Sequence, residues 1–251
     1  LGATGINTIP EADLLNSVID LKAAADVDSP SELATLAGIV SEVMAVADSG
    51  VSTASLTSAE LSALGITGVS DAKLAVVLQA IANAAPTDVD TLDKLQAVVT
   101  AAVNAQAIAL NTLVGYADNG GTAPAESVYT SAGVTGLQGN ATLLSAVNSA
   151  LASTTITGAL VDTTAEVQAI VDAYAAILAE ANGSTADATG TDPSVLTYQT
   201  VGVSLGSIAT NTSGLSLLND LVGERNPADV DSVSDLNTLA DAVNRLLVVA
   251  S

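Results

Sequence analysis

One seven-residue phrase is written four times in this chain: "VDSPSEL" at 27–33, "VDTLDKL" at 89–95, "VDTTAEV" at 161–167 and "VDSVSDL" at 230–236. A second phrase precedes each copy: "LGATGI" at 1–6, "LGITGV" at 64–69, "AGVTGL" at 132–137 and a looser "VGVSLG" at 201–206. Their aligned glycines, Gly2, Gly65, Gly133 and Gly202, lie 63, 68 and 69 residues apart. Two anchors in one order, four times, mark an internal repeat. The chain is an array of like units, which limits the folds open to it.

Each anchor has a physical reading. Ser29, Thr91, Thr163 and Ser232 sit where a side-chain hydroxyl accepts a free N–H of a helix's first turn. Glu32 and Glu166 follow three residues later and complete a capping box, and Pro30 takes the favoured first helical position. Behind each cap, apolar residues return with helical spacing: Leu33/Leu36/Val40/Val43, Leu95/Val98/Ala102, Val167/Ile170/Tyr174/Ile177 and Leu236/Leu239/Val243/Leu246. A second helix precedes the cap, with Leu74, Val77, Leu78 and Ile81 after Ser70 in the second copy and Leu144, Val147 and Leu151 in the third. Ahead of the glycine stands a shorter piece, "SAELSAL" at 58–64 or "ESVYTSA" at 126–132, carrying Leu61, Tyr129 or Tyr198 four residues before it. The glycine closes that piece in a left-handed turn that only glycine adopts without strain.

The predicted fold class is therefore all-α, a tandem array of small three-helix bundles with about four repeats of 60–70 residues. Repeat 1 spans 1–50 and lacks its first helix, repeat 2 spans 55–118, repeat 3 spans 123–183 and repeat 4 spans 192–251. Segments rich in Gly, Ser, Thr, Asp and Pro separate them at 48–55, 118–127 and 182–194. A lone bundle of this size is marginal, so the long third helices are expected to pack on the following repeat and make a semi-rigid rod. With only Leu1 ahead of Gly2, the first repeat is expected to leave an apolar groove at Leu14, Val18, Leu36 and Val40. That groove calls for a longer parent chain or for a helix from another chain. The stretch 95–114, "LQAVVTAAVNAQAIALNTLV", comes nearest to a membrane span, but polar residues all round it predict a long buried helix and no membrane insertion.

Composition narrows the setting. Aliphatic residues must build every core, because the chain has no Phe or Trp, four Tyr and one Met. Twenty-seven acids against five bases give a net charge of −22, which keeps a repetitive chain soluble and excludes nucleic acid as a partner. Without Cys there are no disulfides or thiolate sites, and without His no imidazole triads or metal sites.

The order of a short helix ending in "GIT" or "GVT", a second helix and a Val-containing cap opening a third resembles the GA-type three-helix modules of bacterial surface proteins. The likeness covers 45–50 residues of each repeat and is clearest at 58–105. The acidic, cysteine-free, Ala/Thr/Ser/Val-rich setting is similar to repeat regions of large secreted adhesins. The resemblance implies a bacterial surface or extracellular matrix protein. Some GA modules bind serum albumin, but this chain is far more acidic and Lys-poor, and the shared anchors encode no binding face.

Little chemistry is available to such a chain. Lys22, Lys73 and Lys94 are the only lysines, each on an expected helix surface, and no phosphate loop or calcium loop occurs. Asp118, Asn119, Asp187 and Asp192 offer too few oxygen ligands for a dedicated cation site. Asn140, Asn182 and Asn211 open N-x-(Ser/Thr) triplets that read as turns and caps. The expectation is a non-enzymatic spacer with no catalytic, cofactor or metal residues. Its partners are other repeats or copies of the same protein, or a surface protein. Alternatives are a self-assembling subunit of an extracellular filament or layer, and a protein-binding module array.

Overall fold

The computed structural model describes residues 6–52, 55–183 and 192–249. Among them the chain forms eleven α-helices and five short 3-10 turns, with no strand. Two compact units divide it, Leu1–Ala107 and Ile108–Ser251.

The first unit begins with α1 (Ile9–Ile19), the 3-10 turn Ala24–Asp26 and α2 (Pro30–Ser49). α3 (Ser58–Leu64), α4 (Asp71–Ala82), the turn Pro86–Asp88 and the start of α5 (Leu92–Asn119) come next. Helix starts obey the sequence. Ser29 Oγ accepts Glu32 N–H while Glu32 answers with the Ser29 N–H, and Pro30 is the first helical residue. The same reciprocal box forms at Thr8–Glu11 and at Thr57–Glu60, outside the Val-Asp phrases. Ser70 stands at the N-cap of α4 as expected, yet its side chain makes no capping bond.

The second unit continues α5 and adds α6 (Glu126–Ser131), α7 (Ala141–Leu151), the turn Gly158–Leu160 and α8 (Thr164–Glu180). It then adds α9 (Val195–Thr200), the turn Gly206–Thr210, α10 (Thr212–Gly223), the turn Pro227–Asp229 and α11 (Val233–Val249). The anchor glycines end the short helices alike. Gly65, Gly133 and Gly202 have φ of 104°, 85° and 91°. The next amide, on Ile66, Val134 or Val203, reaches back five residues to the carbonyl of Leu61, Tyr129 or Tyr198. Gly2 lies outside the described residues. A 3-10 turn immediately before every Val-Asp phrase was not foreseen.

Each unit closes through the same joint. In the first, Leu92 N–H at the head of α5 donates to Ser17 Oγ on α1 at 2.8 Å; in the second, Val233 N–H at the head of α11 donates to Ser149 Oγ on α7 at 3.0 Å. Lys22 Nζ reaches Ala63 O beside Gly65, and Thr155 Oγ1 reaches Gly202 O. Gly50 lies against Ala82 O, and Gly183 N–H donates to Gly223 O at the corresponding end of α10. α2 packs on α3 and α4, and α8 on α9 and α10.

That packing corrects one expectation. Leu14, Val18, Leu36 and Val40 are all buried, in one cluster with Leu61, Val77 and Leu95. α2 lays a second apolar face on α3 and α4, so the chain itself covers the groove. A second correction concerns residues 95–114. They are helical, but only 22% of the most apolar window of α5 is buried, and Ile108 is 68% exposed. Its many alanines keep its hydropathy high without needing cover, which is why composition suggested burial. A third concerns α11, whose apolar face ends early: Leu236 and Val243 are buried, whereas Leu246 is exposed.

Candidate functional surfaces

Polar side chains inside the units serve the fold. In the second unit a three-part contact occurs twice. Tyr129 hydroxyl donates to Asn148 Oδ1 at 2.7 Å, and Asn148 Nδ2 donates to Pro124 O at 3.1 Å. Tyr198 hydroxyl donates to Asn219 Oδ1 at 2.8 Å, and Asn219 Nδ2 to Pro193 O at 3.2 Å. Both tyrosines are fully buried, and burial holds their hydroxyls neutral, well above the usual phenol range. Tyr174 is equally buried, and among the described residues its hydroxyl has no hydrogen-bond partner.

A second recurring contact escaped the sequence reading. Gln96 Oε1 accepts Thr67 N–H at 2.8 Å, Gln168 Oε1 accepts Thr135 N–H at 2.9 Å, and Asn237 Oδ1 accepts Ser204 N–H at 2.8 Å. Each amide clamps the glycine turn to the long helix. The available signal was an amide one residue past each Val-Asp phrase, at 96, 168 and 237, where the first copy has Ala34.

Carboxylates cluster at helix starts, where the exposed N–H groups and the dipole favour negative charge. Burial pushes Glu11 up, but bonds from Asn7 N–H, Thr8 and Ser41 outweigh it and hold its carboxyl below the ordinary value. The Ser29 hydroxyl lowers Glu32, the Thr163 hydroxyl lowers Glu166, and Asn226 lowers Asp229. Asp162 is raised by its hydrogen bond to Glu166 and by that neighbour's charge. Asp162 is exposed, and the half-buried Glu166 is engaged in the α8 cap.

The residues weighed for chemistry are dispersed. Lys22 bonds to Ala63 O, and Lys94 pairs with Asp90 at 2.7 Å and reaches Thr87 O. Lys73 lies on α4. Asp118 accepts Gly158 N–H at 2.6 Å. Asp192 is exposed, and Asp187 lies outside the described residues. Among the described residues no three acidic side chains gather as metal ligands. Asn140 and Asn211 cap α7 and α10 through Leu143 N–H and Gly214 N–H, while Asn182 lies just past α8 in an exposed turn. On α11, Leu246, Val248 and Val249 are exposed, and the two valines line an open depression with Asp241, Asn244 and Arg245. No family model, no curated protein and no solved structure matches the chain.

Proposed function

We propose that the chain is a spacer: a tandem array of four three-helix bundles in a secreted or cell-surface bacterial adhesin or matrix protein, with no catalytic role. The observation that carries the reading is where the recurring polar groups go. Hydroxyl–carboxylate boxes close helix starts, amides clamp glycine turns, and the serine joint repeats from one unit to the next. A chain whose repeated polar residues face its own backbone is built for reproducible length. The charge of −22 supports the same role, since mutual repulsion keeps neighbouring stalks apart at the cell surface.

The test places the chain between a surface anchor and a binding tip. Doubling or halving the number of units should change reach in proportional steps. Substitutions on the exposed face of any one bundle should leave adhesion unchanged. A single-face substitution that abolishes capture of a partner would replace the spacer with a protein-binding array.

A further inference from the structure

The three long helices with a following segment do not end alike. α2 stops at Ser49, with left-handed Gly50 next, and α8 stops at Glu180, just before Gly183. α5 runs on to Asn119 and is 28 residues long, against 20 and 17. Its last turns lie in the second unit, where Ala109 and Leu113 are buried. They end on the 3-10 turn Gly158–Leu160, where Asp118 Oδ1 accepts the buried Gly158 N–H.

Gly158 has no room for a side chain. A Cβ there would stand 2.5 Å from Asp118 Oδ2 and 2.7 Å from Val114 Cγ1, far inside van der Waals contact. The other turns that precede a Val-Asp phrase begin with Ala24, Pro86 and Pro227. Ala24 carries the Cβ that the contact forbids. Pro86 and Pro227 carry a ring and have no N–H to donate. Only the third turn combines a free N–H with an empty Cβ position.

We infer that the turn Gly158–Leu160 is a docking address for the tip of a long helix carrying the Val114-x-x-x-Asp118 pattern. Gly158 is its specificity-determining residue. The matching residues of the other three turns exclude such a tip, so the chain encodes which joint receives an extended helix and which joints turn back early. This stands independently of the spacer reading.

The test is hydrogen exchange on the full chain with Gly158→Pro and Asp118→Ala. Gly158→Pro imports the residue that begins the turns Pro86–Asp88 and Pro227–Asp229, so the turn itself tolerates it. Asp118→Ala removes the acceptor without touching the turn. Losing a charge-assisted bond should speed exchange of amides 110–119 about tenfold or more in both variants, while amides 164–180 keep their wild-type rates. Unchanged protection of 110–119 in both variants would overturn the address. So would a loss in Asp118→Ala that spreads equally through 123–183, which would mark Asp118 as a general stabiliser of the unit.

Discussion

The two units use one plan of joints and two solutions for the interior. In the first, Leu56, Leu61 and Leu78 are buried at the positions that Pro124, Tyr129 and Asn148, and then Pro193, Tyr198 and Asn219, occupy in the second. The first unit fills the space with methyl groups. The second fills it with a phenol–amide–carbonyl chain in which each buried polar atom is matched. The tyrosine and the asparagine change together, because a buried amide without its phenol, or a phenol without its amide, costs more than the complete pair. The carbonyl is main chain that any residue at the third position supplies. At these positions the phenol and the amide therefore enter together, whereas Tyr174 stands in the same unit without such a partner among the described residues.

The largest expected effect comes from breaking the apolar set. Leu78→Asn removes a buried leucine and places an amide where no phenol can meet it, which should cost about 3–5 kcal/mol. Denaturant unfolding monitored by helical circular dichroism measures it, and a cost below about 1 kcal/mol would dissolve the distinction between the interiors. Tyr198→Phe leaves Asn219 Oδ1 without its donor and should destabilise by about 1–2 kcal/mol. Tyr174→Phe sharpens the point by reversing the sign. It removes a buried hydroxyl that has no partner among the described residues, so stability should hold or rise by up to about 1 kcal/mol. Equal losses for the two Tyr→Phe variants would show that the phenol–amide chain adds nothing.

Acid separates the units on a smaller scale. The N-cap box of α1 depends on Glu11, whereas α7 and α10 are capped by Asn140 and Asn211. Glu11 sits below its ordinary value in the folded chain, so its contribution is present above the unfolded value of about 4.3 and lost as pH falls through the folded value. Residues 9–19 should therefore lose exchange protection below about pH 4 before residues 141–151 and 212–223 do. Simultaneous loss would assign the acid response to overall charge instead of to this cap.

Much of the plan was legible. The Val-Asp phrases marked the helix starts at Pro30, Leu92, Thr164 and Val233, and the left-handed turns at Gly65, Gly133 and Gly202 rest on residue type at one position. What stayed hidden depends on partners distant in sequence. Ser17 reads as an ordinary exposed helix serine until Leu92, 75 residues on, places its N–H there. Asp118 read only as an acid too sparsely accompanied to hold a cation, because Gly158, 40 residues away, is invisible locally. The open groove was wrongly expected because a helix face was counted against its own repeat, while α2 buries it on the next one. Asn148 and Asn219 have no local signature beyond replacing Leu78.

That misplaced groove points to the measurement that matters most, since each unit is held to be two repeats closed by one joint. Leu95 is buried in the first unit, within the second repeat, and Leu95→Ala should cost about 2–5 kcal/mol. Native-state hydrogen exchange of this variant should show residues 9–49 losing protection together with residues 58–99, while residues 123–183 and 194–249 keep theirs. Wild-type protection across residues 9–49 in the variant would contradict the pairing and return each repeat to independence.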